Sequence, residues 1–267
     1  MFDPAHGYGA LVAAWTALSH THAVGVRSVP CDRDGRSLLV LDIAPDPSTP
    51  CVALCAGVHG DEPAAPWALL SLVRDALLDR RFAYRAWCCT NPTGYEAETR
   101  ANADGDDINR SYSRDGRNGS TPEARAVERE NRDRRFTLSL DLHEDYEADG
   151  FYCYEPVVAG TAPLGRHVVQ AVDDAGFAVQ ELAAGYDLGY PTDAAHLRQL
   201  ERGRVLPNVE EEVRHFGAGL PYSMYLLWTG MAQRAMTLET PRRRAWDERI
   251  AIHRVAVVTA LTVLGRV

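Results

Sequence analysis

Residues 51–62 read CVALCAGVHGDE and contain the strongest local signal in the sequence. Its first eight residues carry no charge, a pattern typical of a strand covered on both faces. Residues 63–78 follow with helical periodicity, and their prolines fall in the first turn, where a helix tolerates them. The polar residues His59, Asp61 and Glu62 therefore lie at a junction between a buried strand and a helix.

Apolar runs on both sides of this stretch predict further elements. The N-terminal residues favour a first amphipathic helix, and two short runs separated by Asp-Arg-Asp-Gly predict a β-hairpin. The predicted strands span residues 24–29, 37–43, 51–58, 84–90, 137–142 and 235–238, and a closing helix spans 246–264. Residues 91–118 and much of 183–221 are rich in turn-forming residues and are predicted to be long loops.

Strands that alternate with helices indicate an α/β fold with a mixed or largely parallel sheet flanked by helices. A chain of 267 residues buries one substantial core, so a single domain over residues 1–267 is expected. In such sheets, functional groups collect beyond the carboxyl ends of the strands. The residues singled out below fall at that edge repeatedly.

Composition excludes several classes of protein. A chain that is 46% hydrophobic and 24% charged is an ordinary globular protein, and its net charge of −9 argues against nucleic-acid binding. No apolar stretch reaches the length of a membrane span, and the first residues lack the basic region of a signal peptide. The six cysteines form no CxxC pair and favour buried free thiols over disulfides. We therefore expect a soluble, cytoplasmic protein, although a precursor without its leader would give the same pattern.

A metal site is the best interpretation of two strand ends. His59 and Glu62 stand three residues apart around a tight turn, where both side chains can point at one ion. An isolated HxxE is a weak signal, since it also fits a carboxylate at a helix start beside a polar histidine. His143 ends another apolar strand and can reach the same cleft. Zn²⁺ prefers imidazole and carboxylate ligands, and hydrolytic sites use three protein ligands plus an open position.

These segments give the chain a resemblance to the zinc carboxypeptidase family, the carboxypeptidase A-like metallopeptidases, a superfamily that includes the succinylglutamate desuccinylase and aspartoacylase group. Five motifs carry the resemblance, in the family's order. They are residues 59–62 (HGDE), 91–94 (NPTG), 100–110 (RANADGDDINR), 141–143 (DLH) and 237–241 (TLETP). The resemblance implies a three-layer sandwich with a mostly parallel twisted sheet.

The resemblance also implies a role for each matching residue. His59, Glu62 and His143 match the zinc ligands, and Asp107 matches the aspartate that supports a zinc-bound histidine. A further four residues match those that act on the substrate. Arg100, Arg110 and Asn109 correspond to groups that bind a terminal carboxylate and polarise the carbonyl, and Glu239 corresponds to the catalytic glutamate that activates water.

The chemistry of the side chains agrees with these roles. A planar guanidinium binds a carboxylate through two parallel hydrogen bonds, so two arginines beside an asparagine suit a substrate with a free carboxylate. A glutamate beside zinc can take a proton from water and pass it to a leaving amine. The expected substrate is a peptide or an N-acyl amino acid with a free carboxylate.

Three functions remain open on the sequence. The 100–110 and 237–241 motifs favour a carboxypeptidase, whereas the short spacer between Glu62 and His143 favours a deacylase of N-acyl amino acids. A binding protein that has lost catalysis is the third possibility, and it would be expected to lack a ligand or the glutamate. The oligomeric state and the side-chain specificity are not determined by the sequence.

Several residues have two interpretations. A mobile tyrosine assists many members of the resembled family, and the candidates are Tyr186, Tyr190, Tyr222 and Tyr225, each of which could equally be a packing residue. Residues 185–193 either line the cleft or form a plain loop. Glu144 and Asp145, which follow His143, either bind a second cation or belong to a solvated acidic loop, and the loop is favoured.

Overall fold

The computed structural model describes residues 7–22, 24–31, 37–43, 48–182 and 198–267. Their helices are α1 (Tyr8–His22), α2 (Ala64–Arg74), α3 (Pro92–Ala97), α4 (Pro122–Asn131), α5 (Gly165–Asp174), α6 (Val209–Phe216), α7 (Tyr222–Trp228) and α8 (Trp246–Leu264). Their strands are β1 (Gly25–Pro30), β2 (Ser37–Ile43), β3 (Cys51–Ala56), β4 (Ala83–Cys89), β5 (Tyr112–Ser113), β6 (Leu138–Asp145), β7 (Tyr152–Tyr154), β8 (Arg198–Glu201), β9 (Arg204–Pro207), β10 (Gly219–Leu220) and β11 (Ala235–Pro241).

Nine of the described strands form one mixed sheet in the order β1-β2-β4-β3-β6-β11-β7-β9-β8. The centre is parallel, since β3 pairs in parallel with β4 and β6, and β6 with β11. The charge-poor runs that predicted β3, β4 and β6 occupy this centre because strands covered on both faces exclude unpaired charge. The predicted α/β fold and the β1–β2 hairpin are confirmed.

Helices cover both faces of the sheet and give the three layers that the resemblance implied. One hydrophobic core packs α1, α2, α5 and α8 against one face. A second core packs α4, α6 and α7 against the other face. All six cysteines are free, as expected. No helix in the described ranges has the length and apolar character of a membrane span.

The two predicted loops contain more regular structure than expected. Residues 91–118 include α3, a 3₁₀ turn (Ile108–Arg110) and β5, and residues 198–216 form the β8–β9 hairpin and α6, so the loop prediction was wrong there. Side-chain caps hold these short pieces: Asn91 accepts from the N–H of Gly94, and Asn208 accepts from the N–H of Glu211. Such local hydrogen bonds stabilise turns without leaving a hydrophobic period in the sequence.

Candidate active site

The loop between β3 and α2 places His59 and Glu62 at the carboxyl end of the central strands. Gly60 is required here because a Cβ at this position would lie 1.8 Å from the carbonyl carbon of Gly94. The Gly60 N–H also donates to the carbonyl of Thr99 at 3.0 Å. The glycine therefore permits a close approach between two backbone segments, which presses this loop onto α3.

His59, Glu62 and His143 come together as the sequence predicted. Nδ1 of His59 lies 2.5 Å from one carboxylate oxygen of Glu62, and Nδ1 of His143 lies 2.8 Å from the other. All three side chains are buried, and their ligand atoms lie within 4.8 Å of one another. Two imidazole nitrogens and a carboxylate in this arrangement fit a zinc ion, which accepts this donor set.

Each histidine has a second carboxylate at its outer nitrogen. Nε2 of His59 lies 3.3 Å from Asp107, the residue that the sequence predicted for this support. Nε2 of His143 lies 3.1 Å from Asp141, which is fully buried. Carboxylates in this position orient a metal-binding imidazole and fix its tautomer. This role of Asp141 was not predicted from the sequence, although residues two apart on a strand share a face of the sheet.

The charges of this cluster depend strongly on one another. Burial alone would raise the pKa of Glu62, but the adjacent His59 and His143 bring the pKa below its ordinary value. Burial lowers the pKa of His143, and the carboxylates of Asp141 and Glu62 more than offset this and raise it well above the ordinary value. A metal ion at this site must therefore compete with a proton for His143.

Glu239 faces the triad from β11. In the parallel register of β6 and β11, Glu239 pairs with His143, so both side chains leave the sheet at the same edge. The carboxylate lines the same cleft as the triad and is partly exposed there. Burial, with a smaller contribution from Glu62, raises the pKa of Glu239 to about 8. A divalent cation at the triad would lower this pKa towards neutrality, the range that suits a general base.

Arg100 lies beside the triad. Its guanidinium donates twice to Asp107, and its Nη1 lies 3.3 Å from Nδ1 of His59. About half of its side chain is exposed (49%), so the group faces the cleft while Asp107 fixes its orientation.

Asn109 and Arg110 follow in the 3₁₀ turn. The Asn109 side chain accepts from the N–H of Tyr222 at 2.9 Å, and its Nδ2 lies 3.4 Å from Nε2 of His143. The Arg110 guanidinium lies 4.7 Å from the ring centroid of Phe216 in a cation–π contact. Both residues line the cleft, so the structure brings every predicted site residue to it or beside it.

Comparison with known proteins supports the resemblance. Residues 48–176 match the model of the succinylglutamate desuccinylase/aspartoacylase catalytic domain. This match covers slightly less than half of the chain and supports the resemblance to the zinc carboxypeptidase-like family that includes this group. A search of curated proteins finds no match.

Solved structures share the fold of this chain. A proposed metallopeptidase from Shewanella amazonensis SB2B aligns with a TM-score of 0.76 at 20% identity, over 97% of this chain and 94% of that one. Carboxypeptidase A from Helicoverpa armigera aligns with a TM-score of 0.66 at 18% identity, over 98% and 73%. A metallo-carboxypeptidase from Burkholderia cenocepacia gives 0.68 at 16% identity, over 97% and 69%.

The tyrosine candidates divide into two groups. Tyr222 and Tyr225 belong to α7, are fully buried in the second core and are packing residues. Tyr186, Tyr190 and residues 185–193 lie outside the described residues. Three other tyrosines line the cleft and were missed, because they follow His143 in a segment with no motif: Tyr146, Tyr152 and Tyr154.

The favoured interpretation of Glu144 as part of a solvated loop was wrong. Glu144 is buried and forms an ion pair with Arg249 from α8 at 2.5 Å. Its neighbour Asp145 is half-buried and accepts a hydrogen bond from the Tyr152 hydroxyl at 2.7 Å. Strand β6 extends through both residues, three positions beyond the predicted end, because β11 pairs with it along that length.

Proposed function

We propose that this protein is a zinc-dependent metallocarboxypeptidase that hydrolyses the C-terminal peptide bond of a peptide. The observation that carries the proposal is one cleft of about 520 Å³ that gathers the candidate metal ligands, Glu239, Arg100, Asn109 and Arg110. A site of this kind has three protein ligands, a base and cationic groups for a carboxylate, the set of parts that metal-assisted hydrolysis needs.

His59, Glu62 and His143 would hold the zinc, which when bound supplies Lewis acidity and lowers the pKa of water. Glu239 stands on the neighbouring strand, from which its carboxylate takes the proton of the attacking water and passes it to the leaving amine. Because its side chain is only partly exposed, few solvent molecules compete for that proton. Reduced thiols of six free cysteines fit a cytoplasmic location for this reaction.

The two arginines have different proposed roles because they lie at different positions in the cleft. Arg100 lies next to His59 and is held by Asp107, which supports it as the donor to the substrate carbonyl as negative charge develops there. Arg110 and Asn109 lie on the side of the cleft formed by α6 and α7 and bind the free carboxylate of the substrate. In the proposed complex, the scissile bond lies between the two arginines.

The second candidate is a deacylase of N-acyl amino acids, and the matching family model of the desuccinylase/aspartoacylase domain favours it. Both reactions cleave an amide next to a residue with a free carboxylate. They differ in the acyl side, which is a peptide in one case and a small acid in the other. The peptide is preferred because the cleft continues past the triad to the exposed Tyr146 and Glu147, where a longer acyl chain finds contacts.

The test uses zinc-reconstituted protein with a panel of N-blocked dipeptides, longer peptides, and N-acetyl and N-succinyl amino acids. Glu239→Gln is expected to lower kcat by about 10²–10⁴-fold, the usual contribution of a general base. Glu210→Gln, an exposed residue at the start of α6, serves as the control with full activity. Amidated peptides should resist cleavage, because they lack the carboxylate.

Release of C-terminal residues that is abolished by chelation and by Glu239→Gln supports the carboxypeptidase. Cleavage confined to the N-acyl amino acids, with the same two dependences, replaces it with the deacylase. Cleavage that persists at full rate in Glu239→Gln overturns the assignment of the base in both readings.

A further inference from the structure

A buried network behind the candidate metal centre has no role in the chemistry above. Its centre is Glu144, which follows His143 on β6 and points to the opposite face of the sheet. Only 3% of Glu144 is exposed. One carboxylate oxygen accepts from the backbone N–H of Ala64 at 2.8 Å, and the other accepts from Nη1 of Arg249 at 2.5 Å.

Glu144 also contacts a candidate ligand directly. Its backbone N–H donates to Oε2 of Glu62 at 3.1 Å, the same oxygen that lies 2.8 Å from Nδ1 of His143. Ala64 begins α2 two residues after Glu62. Glu144 thus joins the end of β6 to the Glu62 carboxylate through its main chain and to the first turn of α2 through its side chain.

Arg249 holds this junction from the closing helix. The residue is 5% exposed, and its guanidinium lies 5.1 Å from the ring centroid of Trp246, one turn earlier in α8. The distance in sequence to Glu144 is 105 residues, so the contact exists only when α8 has docked onto the sheet. A buried carboxylate deprived of such a partner is strongly unfavourable and must find a proton or another donor.

We propose that Arg249 is a positioning residue for the metal centre and acts through Glu144. Arg249 fixes the Glu144 carboxylate, and Glu144 fixes the end of β6 and the first turn of α2. Glu62 lies between these two elements, so its carboxylate keeps the orientation that directs it to the metal. The inference rests on the metal site of the proposed function and is independent of which substrate is cleaved.

The experiment measures zinc affinity and needs no substrate. Metal-free wild type, Arg249→Met and Arg249→Lys are titrated with zinc against a chelating indicator, and Co²⁺ absorption spectra report the ligand geometry. Arg254→Met is the matched control, because Arg254 lies on the same helix and pairs with the surface residue Asp75 at 2.6 Å. Unfolding of each metal-free variant is followed separately.

Arg249→Met is expected to weaken zinc binding about tenfold, the lower end of the effect of partners outside the ligand shell, and to change the Co²⁺ spectrum. Arg249→Lys should restore most of the affinity, since one ammonium can reach the single carboxylate oxygen, and Arg254→Met should match wild type. A folded Arg249→Met protein with wild-type zinc affinity and spectrum overturns the proposal and leaves Arg249 a purely structural residue.

A second variant covers the case in which Arg249→Met does not fold. Glu144→Gln/Arg249→Met removes both charges and keeps the backbone N–H of residue 144. Weaker zinc binding by this folded double variant supports the positioning role, and unchanged binding refutes it. Failure of wild type itself to bind zinc contradicts the proposed function instead, so the two failures are distinguishable.

Discussion

Replacement of Asp141 by asparagine should show how much each of the two carboxylates that support the histidines contributes to zinc affinity. Asparagine keeps the shape of the side chain and removes its charge. Asp141 is 0% exposed and lies 3.1 Å from Nε2 of His143, whereas the Asp107 side chain is 26% exposed and is shared between His59 and Arg100. Solvent screens the Asp107–His59 pair more than the Asp141–His143 pair, so the loss of Asp141 should weaken zinc binding more.

Supporting carboxylates contribute about 10–100-fold to metal affinity. Full burial places Asp141→Asn near the upper end, about 100-fold or roughly 2.7 kcal/mol, and exposure places Asp107→Asn near about tenfold, roughly 1.4 kcal/mol. At saturating zinc the order of the effects on turnover should reverse. Asp107→Asn also frees Arg100, which lowers kcat, while Asp141→Asn leaves Arg100 in place.

The assay is a competition titration of metal-free protein with zinc at fixed pH, followed by kinetics at saturating zinc. Thermal unfolding of each metal-free variant confirms that the fold persists. Wild-type zinc affinity in Asp141→Asn, or a larger loss in Asp107→Asn, would refute the argument that burial sets the strength of this support.

Three further outcomes follow from the structure. Burial lowers the pKa of His253 to about 3, so its neutral form stabilises the fold above pH 6.5 and this contribution is lost as pH falls towards 3. Between pH 6 and pH 4, the free energy of unfolding of metal-free wild type should decrease as the pH is lowered. The decrease should exceed that of His253→Leu by about 1.4 kcal/mol per pH unit. Equal pH dependences of the two proteins in denaturant titrations would contradict this. Gly60→Ala should destabilise the protein by about 1–3 kcal/mol and weaken zinc binding, because the added Cβ meets the Gly94 backbone. Gly9→Ala is the control, because a Cβ at Gly9 meets no other atom and should leave the stability unchanged. Thermal unfolding compares the two variants. Arg110→Met should raise KM by about 10–100-fold with little change in kcat if the guanidinium binds the substrate carboxylate, and steady-state kinetics that show the reverse pattern would exclude this role.

The central sheet was predictable from local sequence. Strands β3, β4 and β6 are covered on both faces, and that burial keeps charge scarce in runs long enough to recognise, with Arg85 and Asp141 as buried exceptions. Helix α6 and the β8–β9 hairpin were not predictable, because caps such as Asn208 and pairing with the rest of the sheet stabilise them. Short elements of this kind depend on contacts that a hydrophobic period does not record.

Some residues of the site could be predicted from local sequence, and others could not. His59 and Glu62 follow β3, and His143 lies near the carboxyl end of β6. Parallel pairing of the two strands brings all three residues to one edge of the sheet, where their ligand atoms lie close together. Asp141 could have been found, since it shares the face of His143 two residues earlier on β6. The pairing of Glu144 with Arg249 could not, because it depends on where α8 packs, which local sequence does not specify.

Zinc binding to the three predicted ligands is the most direct test of the account. Metal-free wild type and Glu62→Gln are dialysed to equilibrium with zinc, and the metal bound to each chain is measured by mass spectrometry. We predict about one zinc per chain for wild type. Glu62→Gln should lose this binding, because the buried Glu62 carboxylate contacts both histidines. Wild type that takes up no zinc, or Glu62→Gln that binds it as tightly as wild type, would contradict the central claim.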